Sequence, residues 1–146
     1  MRILNKKALH NYHILEHFEA GVVLTGAEVK SIRAGRLDMG EAYVRILGDE
    51  AFLVNANIPR YMQADARGYD PFKSRKLLLH RKEINSLVGK TSGKGVALLP
   101  ISVYEKNNKF KLEIGLGKSK KEFDKRKLLK EKEHKRRVEQ ELRGKE

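Results

Sequence analysis

Two histidines, His13 and His17, stand four residues apart, the spacing a metal could use on a helix. On a strand the same pair would share one face, where a ribonuclease could use them as acid and base with His10 or Glu16 nearby. No cysteine joins them, and the alternation around them reads as strand, so solvated polar side chains account for them without chemistry. A second candidate, Gly89-Lys90-Thr91-Ser92-Gly93-Lys94-Gly95, has the look of a phosphate loop. That loop needs four residues between its glycines and a Ser or Thr after its lysine; here three intervene and Gly95 follows. It reads as a flexible loop carrying two lysines. The carboxylates Glu16, Glu19 and Glu28 show no pairing, and no Ser, His and Asp arrangement stands out. The sequence therefore predicts no catalytic residue, no metal and no cofactor. What is left is the chemistry of charge.

That chemistry has to be displayed by a folded body. Tyr12 to Leu24 alternates as a strand with Tyr12, Ile14 and Phe18 on one face and Gly21 as its bend or bulge. Thr25 caps a short helix, with Glu28 completing a capping box and Gly35 stopping it, which leaves Lys30, Arg33 and Arg36 exposed. Residues 42–47 and 51–58 form a hairpin around Gly48-Asp49-Glu50, and residues 59–72 carry loop chemistry that includes Gln63 and Asp65. His80 to Val88 has helical spacing, with Gly89 as its stop. Val96–Tyr104 and Phe110–Leu116 make a second hairpin around Lys106-Asn107-Asn108-Lys109. Five or six short antiparallel strands with small helices predict a mainly β fold: a small closed barrel of the oligonucleotide-binding (OB) type over residues 1–117.

The chain has 146 residues, enough for one well-cored domain, and a formal charge of +13, beyond what solubility requires. Nucleic acid or an anionic membrane is the partner such charge proposes. No apolar run approaches a membrane span and the N-terminal residues lack a signal-peptide core, so a monomeric cytoplasmic protein that does not bind membrane is expected. The absence of cysteine fits a reducing compartment. Past Gly117 the composition changes: residues 118–146 hold thirteen Lys or Arg against seven Asp or Glu. Such a tail buries too little to order itself. Its residues nonetheless favour helix, and the pairs Glu131/Lys135, Glu133/Arg137 and Glu139/Arg143 sit at i,i+4 spacing. It should be disordered when free and helical when bound. In Lys118-Ser119-Lys120-Lys121-Glu122-Phe123-Asp124-Lys125-Arg126-Lys127 an aromatic lies inside a basic cluster, suited to stacking on a base while lysines neutralise phosphates.

Gly26-Ala27-Glu28-Val29-Lys30-Ser31-Ile32-Arg33-Ala34-Gly35 closely resembles the SmpB family, the small SsrA-binding proteins that bind transfer-messenger RNA. Leu4-Asn5-Lys6-Lys7-Ala8, Phe18-Glu19-Ala20-Gly21, Glu50-Ala51-Phe52-Leu53, Ala56-Asn57-Ile58, Asp70-Pro71, Arg75-Lys76-Leu77-Leu78-Leu79 and the Lys118 to Arg126 block follow in family order. Any one block is weak; together, over nearly the whole chain, they are specific. The resemblance implies an OB-type barrel that docks on the tRNA-like domain of transfer-messenger RNA and rescues stalled bacterial ribosomes, with no covalent chemistry of its own. It implies RNA contacts at Asn5 by hydrogen bonding, at Glu19 by accepting from a base or ribose or by ordering a lysine, and at Leu78 by packing, unless Leu78 is simply core. Lys6, Lys7, Lys30, Arg33 and Lys76 are the cations expected to join them. The tail would enter the decoding centre and the empty mRNA channel, using Lys118, Lys120, Lys121, Phe123, Asp124, Lys125, Arg126, Lys127 and His134. Elongation factor Tu would be engaged only indirectly, through the charged RNA. Phe123 stands where the family often has histidine, His134 where it often has tryptophan, and Ser119 where it often has glycine, which removes a proton-linked role at the first and a large apolar contact at the second. A generic ribosomal or single-strand-binding barrel is the alternative, and a ribonuclease a more distant one.

Overall fold

The computed structural model describes residues 1–62, 64, 66–93 and 95–144, without the side chains of 122–128 and 143–144. Gln63, Asp65 and Lys94, which fall in the loops expected from sequence, lie outside the described residues. The elements run β1 (Arg2–Leu4), α1 (Lys6–Asn11), β2 (Tyr12–Val22), α2 (Gly26–Arg33), β3 (Tyr43–Leu47), β4 (Glu50–Val54), β5 (Arg75–Leu78), α3 (Arg81–Lys90), β6 (Val96–Lys106), β7 (Lys109–Ser119) and α4 (Lys120–Gly144). Seven antiparallel strands form one sheet in the order β1-β6-β7-β2-β5-β4-β3. The fold is mainly β with short helices, as expected, but the sheet does not close. Closure would need the edge strands β1 and β3 to pair, and no ladder joins them. β3 approaches β6 without joining its ladder.

Two bulges decide which side chains face the core. β2 carries one extra residue between Ile14 and Glu16, and β6 one between Pro100 and Ser102. A bulge reverses the alternation beyond it. Tyr12 and Ile14 therefore lie on the opposite side of the sheet from Phe18, not on the same side, and the bulge falls near Leu15 instead of at Gly21. Inside, Ala20, Leu53, Leu77, Leu98, Val103, Leu112, Ile114 and Leu116 make the main core with Ile32 of α2 and Leu87 of α3. Outside, Ala8 of α1 packs with Leu99, Ile101, Tyr12 and Ile14 in a second, smaller cluster. Glycines make that second cluster possible: a Cβ on Gly115 would stand 2.7 Å from Ile101 Cγ1. Beyond the patch under α1, the outer face of the sheet is open.

Local signals explain most of the elements. Thr25 and Glu28 form the expected capping box, and Gly35 ends α2 with φ of +79°. Asn107 and Asn108 adopt φ of +53° and +62° and close the β6–β7 hairpin in two residues. β4 stops at Val54, earlier than expected, where Asn55 turns to φ of +63°. α3 does not stop at Gly89; it continues to Lys90, because Thr91 satisfies the end of the helix by donating both its N–H and its hydroxyl to the Leu87 carbonyl. The tail is helical along α4, entered from β7 without a loop, so Lys118 and Ser119 belong to the sheet. Every described side chain from Leu129 to Leu142 is exposed. Local propensity, not packing, holds this stretch of helix.

Candidate nucleic-acid interface

The open part of the outer sheet face collects Arg2 from β1, His17 and Glu19 from β2, Lys76 and Leu78 from β5, Tyr104 and Lys106 from β6, and Lys109, Lys111 and Glu113 from β7. Register places them there: Glu19 is opposite Glu113, Gly21 opposite Leu78 and Lys111, Tyr104 opposite Arg2 and Lys111, and Lys106 opposite Lys109. Glu19, Lys76 and Leu78, separated by up to 59 positions in sequence, line one open groove of about 920 Å³ with Val29, Lys109 and Lys111. Leu78 is 57% exposed, so it is not core. It leans on Gly21, where a Cβ would come within 3.3 Å of its own. An exposed leucine held at a fixed height is a surface for packing, and around it the groove mixes Lys76, Lys109 and Lys111 with Asp49, Glu50 and Glu83.

Glu19 is also held. The Tyr104 hydroxyl donates to its carboxylate, and Lys106 Nζ lies 3.7 Å from its other oxygen. That hydrogen bond, with the fields of Lys106 and Lys111, keeps the Glu19 carboxyl below the usual range against a smaller desolvation effect. Burial, joined by the same hydrogen bond, pushes the Tyr104 phenol up to about 12. Glu113 accepts from the Ser102 hydroxyl at 2.7 Å and lies 2.7 Å from His17 Nδ1. Desolvation raises its carboxyl, but Ser102, His17 and Arg2 together outweigh it and the net shift is downward.

The remaining expected residues fall elsewhere. Asn5 is buried; its Nδ2 donates to the carbonyls of Met39 (3.0 Å) and Pro100 (2.8 Å), and its Oδ1 accepts from the Ala8 N–H as the N-cap of α1. In the free protein its amide is engaged by the fold: a short helix entered from a strand needs a cap, and Asn5 supplies it. Lys6 and Lys7, on the helix it caps, are exposed, with Lys7 paired to Glu41. Lys30 is exposed and lies over the Tyr61 ring, while Arg33 pairs with Glu105 at 2.7 Å. Lys76 is 3.7 Å from Glu50. Lys120 and Lys121 line a recess with His10, Asn11 and Tyr12 at the root of the tail. Among the tail residues, His134 is exposed, and the side chains of Phe123, Asp124, Lys125, Arg126 and Lys127 lie outside the described ones.

His13 and His17 do not share a face. Their partners on β7, Lys118 and Gly115, are three residues apart, so the bulge sends the two rings to opposite sides of the sheet. His17 is engaged by Glu113 instead. Sequence reasoning missed Arg2, Tyr104, Lys106, Lys109, Lys111 and Glu113. The signal was present in the second hairpin, where alternate residues on either side of Asn107-Asn108 must share a face once the two-residue turn sets the register. It also missed the ion pair beneath the groove. Arg75 Nε donates to Glu28 Oε2 at 2.7 Å, with both side chains almost wholly buried, and Arg75 Nη1 donates to the carbonyls of Ala56 and Pro71. The pair fixes β5, which carries Lys76 and Leu78, to the start of α2.

An open, curved antiparallel sheet that presents lysines, an aromatic and a fixed carboxylate, followed by a basic helix, belongs to the polyanion-binding class of small β proteins. Comparison with known proteins makes this particular. The family model described as SmpB protein matches residues 2–144, and the chain belongs to the SmpB family. It is 52% identical over 135 residues to the SsrA-binding protein of Shouchella clausii, covering 92% of this chain and 86% of that one. It is 50% identical over 141 residues to that of a Sulfurihydrogenibium species (97% and 93% covered) and 48% identical over 139 residues to that of Bacillus subtilis (95% and 89% covered). A solved chain described as "tmRNA-SmpB: a journey to the center of the bacterial ribosome" superposes with a TM-score of 0.70 at 39% identity, covering 82% of this chain and 84% of that one.

Proposed function

We propose that this protein is an RNA-binding adaptor that grips the tRNA-like domain of transfer-messenger RNA and delivers it to stalled bacterial ribosomes for trans-translation, in the cytoplasm and without catalysis of its own. The single observation that carries this reading is the exposure of Leu78 beside Glu19 and Lys76 in one groove, in a chain whose relatives are SsrA-binding proteins. Lysines along the groove neutralise phosphates, Leu78 packs on a sugar or base, and Glu19 accepts a hydrogen bond. Lys6 and Lys7, placed by the Asn5 cap, and Lys30 and Arg33 on α2 extend the positive surface on either side.

The body and the tail divide the work. Residues 1–117 hold the RNA. The basic tail, with Lys118, Lys120, Lys121, Phe123, Asp124, Lys125, Arg126, Lys127 and His134, occupies the decoding centre and empty mRNA channel. A helix whose described side chains from Leu129 to Leu142 all lie in solvent exchanges with coil when free and is fixed on binding. Elongation factor Tu joins through the charged RNA. Gel-shift competition tests the reading: the tRNA-like domain should displace a labelled copy of itself far better than unrelated structured RNA, and Leu78→Asp should abolish that preference. Equal competition by both RNAs would reduce the protein to a generic basic sheet.

A further inference from the structure

Glu19 is one end of a chain of contacts that crosses four strands. Tyr104 stands on β6 and Glu19 on β2, with β7 between them. Neighbouring strands are about 4.8 Å apart, so the phenol must reach across β7 to donate to Glu19 Oε2. A tyrosine on an open sheet face has freedom to swing away; this one is held. Arg2 is directly opposite it in register, and the guanidinium carbon lies 4.5 Å from the ring centroid. Arg2 is anchored in turn, with Nη1 donating to Ser102 Oγ at 3.3 Å and to Glu113 Oε2 at 3.2 Å. Glu113 is fixed by Ser102 and by His17. The chain ends at the carboxylate. One oxygen of Glu19 is taken by Tyr104, and the other lies 3.7 Å from Lys106 Nζ, beyond hydrogen-bonding distance and exposed.

We infer that Tyr104, clamped by Arg2, is a positioning residue for RNA recognition: its hydroxyl holds one oxygen of Glu19 so that the other is presented as a fixed acceptor to a hydrogen-bond donor on the RNA. The inference rests on the proposed contact between Glu19 and RNA. It assigns Tyr104 no contact with the RNA itself. A carboxylate on a free rotor must be ordered on binding, whereas one already aimed is not, and such pre-organisation appears as affinity. Lys106, paired with it at 3.7 Å, and Lys111 act with the hydroxyl to keep it a charged acceptor.

The test uses the full-length protein and a labelled tRNA-like RNA in binding titrations over a range of salt, with Glu19→Gln, Tyr104→Phe and the double variant. Tyr104→Phe keeps the ring under Arg2 and removes only the hydroxyl. It should weaken binding about three- to tenfold, the range expected for one hydrogen bond. The salt slope should stay that of the wild type, because no phosphate contact is lost. In the Glu19→Gln background Tyr104→Phe should cost little more. In the free protein, carbon-detected titration of Glu19 should show its pKa rising toward the ordinary value in Tyr104→Phe. Wild-type affinity for Tyr104→Phe together with a weakened Glu19→Gln would overturn the inference and leave the Glu19 contact standing. A full Tyr104→Phe effect persisting without Glu19 would overturn it too, by showing that the hydroxyl meets the RNA directly. If Glu19→Gln itself binds normally, the proposed contact fails and the inference fails with it.

Discussion

Replacing Arg75 by alanine removes the cation that pairs with Glu28 at the heart of the body. Both side chains are almost fully buried, and the arginine also donates to the Ala56 and Pro71 carbonyls. The variant leaves a carboxylate with only Thr25 to satisfy it, the Ala56 carbonyl without its Arg75 donor, the Pro71 carbonyl with only the Ile58 N–H, and a cavity where the guanidinium stood. Breaking a buried pair from one side costs about 3–5 kcal/mol. Against the roughly 5–15 kcal/mol that stabilises a whole domain, that is a large fraction, and it corresponds to a fall of about 10–20 °C in melting temperature. Urea unfolding at neutral pH, followed by far-ultraviolet circular dichroism, reads the change as a lower midpoint at similar slope. pH supplies a second axis. Burial raises the Glu28 carboxyl, but the Thr25 N–H and Arg75 more than offset this, so its folded pKa lies below the ordinary glutamate value. A lowered folded pKa means stability that is present above the unfolded value and lost as pH falls through the folded one. The gap between wild type and Glu28→Gln should therefore be full at pH 7 and shrink below about pH 4. A loss under about 1 kcal/mol in Arg75→Ala, comparable with an exposed pair, would refute the claim that this ion pair anchors β5 beneath the groove.

Other perturbations separate the body's parts. Leu78→Ala, at an exposed site, should leave the melting temperature within about 2 °C of wild type while weakening the tRNA-like RNA complex, as a thermal melt and a titration together will show. Gly115→Ala should destabilise by about 1–3 kcal/mol in urea, because its Cβ would press on Ile101 at 2.7 Å and on Ile14 at 3.1 Å. Ser102→Ala removes a donor to Glu113, so the Glu113 carboxyl should titrate at a higher pH than in wild type by carbon-detected resonance, and an unchanged titration would detach Ser102 from the network. If about six phosphates are covered, the log–log salt slope of RNA affinity should be about −4 to −5, and a slope near zero would contradict an electrostatic grip.

The strands that alternate cleanly, the Thr25–Glu28 capping box and the Asn107-Asn108 hairpin were legible because each is decided within a few residues. Closure was not, since it depends on whether β3 meets β1, an edge strand three residues long with no pattern of its own. Nor were the faces of β2. Nothing in Ile14-Leu15-Glu16 announces a bulge, yet that one extra residue separates His13 from His17 and Ile14 from Phe18, and so decides whether a histidine pair exists at all. The groove was half legible. Leu78 and Glu19 came from resemblance to a family, and only the three-dimensional register shows that Tyr104, Lys106 and Arg2 share their face. Asn5 was likewise read as an RNA contact from that resemblance. Its burial shows the same amide closing a helix end.

The account's central claim is that the sheet grips one RNA while the basic helix acts inside another assembly. It is tested most directly by ending the chain after Ser119 and measuring tagging of nascent chains on stalled ribosomes, alongside affinity for isolated transfer-messenger RNA. The truncated protein should keep much of that affinity and support no tagging. Tagging at the wild-type rate without α4 would contradict the division of labour.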